Sequence, residues 1–203
     1  KTMDRPQLLA GGAVDEEPIY GKTYLPRKFK IALSVPPYND TDVFTNDIGL
    51  IAIGEGNKLH GYNVAIGGGM GMTFGMENTY PRLADVIGYV DKSNALAFVE
   101  EIVKVQRDYG NRENRKLSRL KYTLDRLGTD VFRELVEERS GIKLEPAKPY
   151  EFKQNGDVFG WTQAASKKWY LGLFVEHGRV RDAGNYKLKS ALRDLARIKV
   201  CDF

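Results

Sequence analysis

Between residues 28 and 35 the side chains alternate. Phe29, Ile31, Leu33 and Val35 fall on one side, and Lys28, Lys30, Ala32 and Ser34 on the other. A period of two is the signature of a strand, closed here by Pro36-Pro37 and by turn chemistry at Asn39-Asp40. The face made by Phe29, Ile31, Leu33 and Val35 is strongly apolar and is expected to be buried. Two more strands are predicted over residues 48–53 and 59–66, joined by the turn Gly54-Glu55-Gly56-Asn57. The second of them runs into Gly67-Gly68-Gly69-Met70-Gly71. Residues 72–90 show no clear period and are expected to be loop.

The period then changes. Leu96, Val99, Ile102 and Val103 recur at helical spacing over residues 94–109, with Ser93 as the expected N-cap and Gly110 as the stop. Leu117, Leu120, Leu124 and Leu127 predict a second helix ending at Gly128. Thr129 is the expected cap of a third, with Phe132, Leu135 and Val136 inward and Gly141 beyond its end. Pro146 and Pro149 mark an expected boundary. Past it, residues 158–163 and 169–176 read as two strands. A helix follows with Leu188, Leu192, Leu195 and Ile198 on one face, and another strand is expected to begin at Cys201-Asp202-Phe203. One helix with an apolar face needs more sheet than two strands supply. The expected fold class is therefore α+β: a mixed sheet with flanking helices over residues 1–147, then an incomplete β-β-α half-domain over residues 148–203.

Composition narrows the function classes. The chain has 203 residues, is 42% hydrophobic and 29% charged, and carries a formal charge of +4. No apolar run approaches the roughly 18 residues of a membrane span, and no secretory pattern opens the chain. Cys201 is the single cysteine and His60 and His177 the two histidines. That supply excludes an internal disulfide and argues against a self-contained zinc or iron–sulfur site.

Three segments carry candidate chemistry. Lys28 and Lys30 place two ammonium groups on one strand face beside the small Ala32 and Ser34. This pattern fits an anion site over a flat ligand, but spacing alone favours a solvated edge strand. The run from Gly67 to Gly71 lets backbone approach a ligand, but its spacing is not that of a dinucleotide fingerprint, and a plain glycine loop remains open. The stretch 107–126 holds Arg107, Arg112, Arg115, Lys116, Arg119, Lys121 and Arg126 against Asp108, Glu113 and Asp125. It could clamp carboxylates or phosphates, or be a solvated helix face. Nucleic acid is disfavoured, since only Tyr109 and Tyr122 interleave the basic residues.

The order and wording of these segments resemble one family. Tyr24-Leu25-Pro26-Arg27-Lys28-Phe29-Lys30, Asn46-Asp47-Ile48-Gly49, Gly61-Tyr62-Asn63-Val64-Ala65-Ile66-Gly67-Gly68-Gly69, Gln106-Arg107-Asp108-Tyr109-Gly110-Asn111-Arg112, Lys121-Tyr122-Thr123-Leu124 and Gly160-Trp161 are similar to the middle of siroheme-dependent assimilatory sulfite reductases of the sulfite and nitrite reductase family. The wording of Gly67 to Gly71 and of Tyr80-Pro81-Arg82-Leu83-Ala84 resembles the ferredoxin-type members more than the flavoprotein-coupled ones.

The resemblance implies six-electron reduction of sulfite to sulfide at a siroheme coupled to a 4Fe-4S cluster. Lys28 and Lys30 fall on the family's anion-binding lysines. Arg27, Gly67, Gly68, Gly69, Gly71, Gln106, Arg112 and Arg115 fall where the siroheme, with its eight carboxylates, would be lined. Lysine rather than asparagine at Lys30 leans toward sulfite over nitrite. The implied partners are ferredoxin or a flavoprotein reductase as electron donor, and the remainder of the reductase polypeptide. The implied location is cytoplasmic, or plastid in a plant or alga. The family's active-site arginines and cluster cysteines have no counterpart in this sequence. The chain alone is expected to hold neither cofactor stably and to be inactive, a non-catalytic anion- or tetrapyrrole-binding module being the competing reading.

Overall fold

The structure, a computed structural model, describes residues 16–164 and 166–198. These fall into two compact units divided between Asp157 and Val158. In the first, β1 (Ile31–Ser34), β3 (Ile48–Glu55), β4 (Lys58–Ile66) and β5 (Asp85–Asp91) form a sheet in the order β1-β3-β4-β5. β1 runs parallel to β3, pairing Ile31 with Ile48, and the other neighbours are antiparallel. One consequence places the site. The start of β1, the start of β3 and the end of β4 all lie at one end of the sheet.

Three helices complete the layer: α1 (Ala95–Tyr109), α2 (Leu120–Leu127) and α3 (Thr129–Ser140). Ile48, Val64, Ile66, Ile87 and Val90 from the sheet meet Phe98, Ile102, Val105, Leu120, Leu124, Phe132 and Val136 from the helices in one core. Residues 148–157 stay with this unit. Asn63 is fully buried and hydrogen-bonds the backbone of Lys148 in both directions. β6 (Gln154–Asn155) then pairs with β2 (Tyr38–Asn39).

Several expectations need correction. Residues 72–90 contain all but the last residue of β5, which alternation conceals because the ladder slips between Val64 and Ala65 and because Ile87, Gly88, Tyr89 and Val90 are buried in succession. The lysine-bearing strand is shorter than expected, and its apolar side is not covered. Phe29 packs on the core, but Ile31, Leu33 and Val35 are 51%, 41% and 57% exposed. The reason is position: β1 is the edge strand, and α1 and α3 pack on β5 at the opposite edge. Ser34, on the polar side, is the fully buried member. Leu96 is exposed, and Phe98 takes the inward place on α1. Ser93 does not cap α1; it bonds back to Asp91, and Asn94 precedes the first turn. Gly128, with φ +89°, precedes α3, while Thr129 bonds Asp85. Leu117 lies in a 3-10 turn, Arg115–Leu117, ahead of α2.

The second unit holds two short hairpins and a helix. β7 (Gly160–Gln163) pairs with β8 (Trp169–Gly172), and β9 (Asp182–Ala183) with β10 (Tyr186–Lys187), before α4 (Leu188–Arg197). No described residue of this unit is buried. Trp161, Trp169, Phe174 and Ile198 are each more than half exposed. The strand expected over 169–176 ends at Gly172, and the β9–β10 hairpin stands where a plain connection was expected, so the β-β-α reading needs correction. The strand expected at Cys201 lies outside the described residues.

Candidate functional site

The Arg27-Lys28-Phe29-Lys30 segment enters the sheet end through its backbone. Lys30 donates its N–H to Asp47 Oδ2 at 2.9 Å and its carbonyl accepts from Ile48 at 3.0 Å. Asp47 is fully buried. Its carboxylate also takes two hydrogen bonds from Arg119, at 3.0 and 2.8 Å, and its carbonyl accepts the Gly67 N–H at 2.9 Å. One acid therefore joins the lysine strand, the glycine run and the approach to α2. The backbone of Lys30 is fixed on both sides, and neither its side chain nor that of Lys28 is used in holding the fold. Lys28 and Lys30 are exposed, and among the described residues Arg27, Lys28, Lys30 and Arg115 have no acidic partner. Arg27, Lys28 and Arg115 share a shallow cleft of about 290 Å³ with Tyr20, Tyr24, Leu25 and Pro26.

The glycine run divides into residues required by packing and one that is not. At Gly67, φ is +85° and a Cβ would sit 2.2 Å from Leu124 Cδ1; at Gly68 it would sit 2.2 Å from the Phe44 carbonyl oxygen. Neither contact is possible, so these glycines serve the fold. A Cβ on Gly69 would crowd Arg119 Nη2 at 3.2 Å, whereas one on Gly71 meets nothing within 4 Å. The run is held from below by Arg82, which donates to the Gly67 carbonyl, and by Lys121. Beside it, the Tyr80 hydroxyl donates to Asp125 at 2.5 Å. That hydrogen bond, with burial and the charge of Asp125, pushes the phenol up to about 12.

The remaining residues selected from sequence turn to the protein itself. Gln106 is buried and donates from Nε2 to the Ser118 carbonyl at 3.0 Å, joining α1 to the connector before α2; its Oε1 has no partner. Arg112 gives its guanidinium to the Thr23 carbonyl and hydroxyl, the Tyr24 carbonyl at 2.6 Å and the Arg107 carbonyl. It fixes the start of the lysine-bearing segment. Gly110 allows Pro26 to approach, since a Cβ there would lie 2.6 Å from Pro26 Cγ. The basic stretch is balanced by its own acids only in part: Arg107 pairs with Asp108, but Arg119 pairs with Asp47, 72 positions away.

Asp47, Arg119 and Lys121 stand within motifs or the basic stretch in the sequence, but no local signal marks them as site residues. The family model for the nitrite and sulphite reductase 4Fe-4S domain matches residues 2–144. The chain belongs to this family. It is 56% identical over 189 residues to the sulfite reductase (NADPH) hemoprotein beta-component of Geobacillus thermodenitrificans, covering 93% of this chain and 33% of that one. It is 54% identical over 196 residues to the Leptospira biflexa protein of the same name, covering 97% and 35%. Among solved structures it is similar to the Mycobacterium tuberculosis NirA protein, with a TM-score of 0.59 and 26% identity over 71% of this chain and 26% of that chain. The chain thus spans about a third of the length of these hemoprotein relatives.

The residues present fit a tetrapyrrole polycarboxylate. Four cations lack acidic partners among the described residues, and Gly71 borders open space; the buried, unpaired Gln106 Oε1 is an acceptor and offers a carboxylate nothing. They do not fit an iron–sulfur cluster, which needs about four thiolates where the chain has one cysteine. No helix among the described residues is long and apolar enough to cross a membrane.

Proposed function

We propose that this chain is the portion of a siroheme-dependent sulfite reductase that presents cations to sulfite and to the tetrapyrrole's carboxylates. One observation supports the reading: among the described residues, Arg27, Lys28, Lys30 and Arg115 stand without acidic partners at the end of the sheet where the glycine run emerges. Unpaired cations on neighbouring positions repel, and an anion relieves that repulsion. Siroheme, when bound, supplies the iron centre at which sulfite is reduced, with electrons arriving through the cluster. The chain's own part is electrostatic. The ammonium groups of Lys28 and Lys30 hold the sulfite oxygens and stabilise negative charge as S–O bonds weaken. Arg27 and Arg115 pair with carboxylates, and Gly71 leaves room for close approach. Gln106 and Arg112 build the frame behind them.

The thiolates for the cluster come from other parts of the enzyme, so the chain alone turns over no sulfite with a reduced viologen. The relatives' NADPH in name favours a flavoprotein reductase over ferredoxin as donor, against the lean of the glycine-run wording. The exposed edge at Ile31, Leu33 and Val35 and the apolar face of α4 are surfaces for the remainder of the reductase polypeptide. The location that goes with this reading is cytoplasmic. Lys30 supplies the second positive charge that suits sulfite. In the reductase carrying this chain, Lys30→Asn is expected to lower the sulfite-to-nitrite ratio of kcat/KM by at least about tenfold, the loss of one charged hydrogen bond. An unchanged ratio refutes the assignment.

A further inference from the structure

Lys121 occupies an unfavourable place for a lysine. It sits in the first turn of α2, where the helix dipole opposes a cation, and it is 1% exposed. Burial and neighbouring Arg119 push its pKa below the ordinary lysine value, with Asp47 and Asp125 pulling it back. No carboxylate among the described residues forms an ion pair with it. Its three N–H donors instead meet three backbone carbonyls: Gly69 at 3.0 Å, Gly71 at 2.8 Å, and Tyr80. The rings of Tyr122 and Tyr80 flank the ammonium at 5.0 and 5.7 Å.

This cage fixes more than the carbonyls. The only cis peptide among the described residues is Pro36-Pro37, so the glycine run is trans throughout. In a planar trans peptide the C=O of one residue and the N–H of the next point in opposite directions. With the Gly69 and Gly71 carbonyls drawn in to Lys121, the N–H groups of Met70 and Met72 face away from it. Both residues are exposed, at 53% and 63%, and neither N–H has an acceptor among the described residues. A cation on the carbonyl side also polarises each peptide and strengthens its N–H as a donor.

We propose that Lys121 is a positioning residue for anion binding, which aims the backbone N–H groups of Met70 and Met72 outward to receive a carboxylate of the bound tetrapyrrole. This inference rests on the reading that the glycine run faces that group. It is tested on the 15N-labelled chain by titration with uroporphyrin, an iron-free tetrapyrrole that also carries eight carboxylates. In the unmodified chain the Met70 and Met72 amides are expected to shift together with those of Arg27 to Lys30.

Lys121→Met is expected to weaken binding about tenfold, the scale of a charge-assisted hydrogen bond, and to remove the Met70 and Met72 shifts while those of Arg27 to Lys30 persist. Ethylammonium added to Lys121→Ala is expected to restore them and ethanol, of similar size but uncharged, is not; a role in packing alone predicts the same response to both. If Arg27 to Lys30 respond and Met70 and Met72 do not, the positioning role is wrong and the proposed function stands. Uroporphyrin is carried to large excess, so that weak, rapidly exchanging binding to the chain alone still registers; if no amide responds even then, the proposed function itself fails. Should Lys121→Met not fold, the unmodified chain and the ethylammonium experiment still decide: no response of the two amides in the first, or no restoration in the second, overturns the inference.

Discussion

Asp47→Ala is the sharpest test of how the site is framed. Asp47 is fully buried and the Arg119 side chain is 12% exposed, with 3.0 and 2.8 Å hydrogen bonds between them. Removing the acid leaves a nearly buried guanidinium without its counterion and the Lys30 N–H without its acceptor. Breaking a buried pair in this way costs about 3–5 kcal/mol. For a chain of this size, roughly 2–4 °C of melting temperature accompanies each kcal/mol, so Tm should fall by about 10 °C. Circular dichroism melts of the 203-residue chain measure this directly. Asp47→Leu combined with Arg119→Met should recover most of the loss, because removing both charges leaves neither stranded. A fall below about 1 kcal/mol for Asp47→Ala, or a double variant no better than the sum of its parts, would show that this pair does not join the lysine strand to the basic segment.

Three further outcomes follow from the same geometry. Gly67→Ala should destabilise severely, since its Cβ meets Leu124 at 2.2 Å with φ at +85°; Gly71→Ala, which meets nothing, should leave urea unfolding unchanged or slightly improved yet weaken uroporphyrin binding. At Glu137, burial pushes the carboxyl up, but the Leu144 N–H, the Lys143 ammonium and Arg133 more than offset it, so the pKa lies below 4.5. Its stabilising contribution is therefore full above the unfolded value and lost as pH falls through the folded one. Glu137→Gln should flatten the acid limb of a urea-midpoint profile, and an unchanged limb contradicts the assignment. Asp125→Asn should bring the Tyr80 phenol down from about 12 toward 10, seen as an earlier phenolate step in a difference ultraviolet titration; coincident curves contradict the hydrogen bond.

The sequence made the elements with clean periods legible. Ile48 to Ile66 reads as strands and Leu120 to Leu127 as helix, and both form as such. β5 was missed because a register slip and Gly88 erase its alternation. The apolar side of β1 was misjudged because hydrophobicity reveals which face seeks cover, not whether a helix reaches an edge strand. In the site, Lys28 and Lys30 were visible as a same-face pair, and the Gly67 run as a strand-ending loop. The groups that frame them were not. Asp47 and Arg119 are 72 positions apart, and neither carries a local sign of burial. Lys121 sits beside Leu120 in a basic stretch and reads as surface, and only the fold shows three carbonyls converging on it.

Lys28 and Lys30 are proposed as the sulfite-facing cations. The direct measurement is steady-state sulfite reduction by the reductase carrying this chain with Lys28→Met and Lys30→Met together, with siroheme content followed by absorbance. Siroheme is expected to be retained and kcat/KM for sulfite lowered by at least about 100-fold, the scale of losing preorganised charge at a reacting anion. An unchanged kcat/KM at full siroheme content would contradict it.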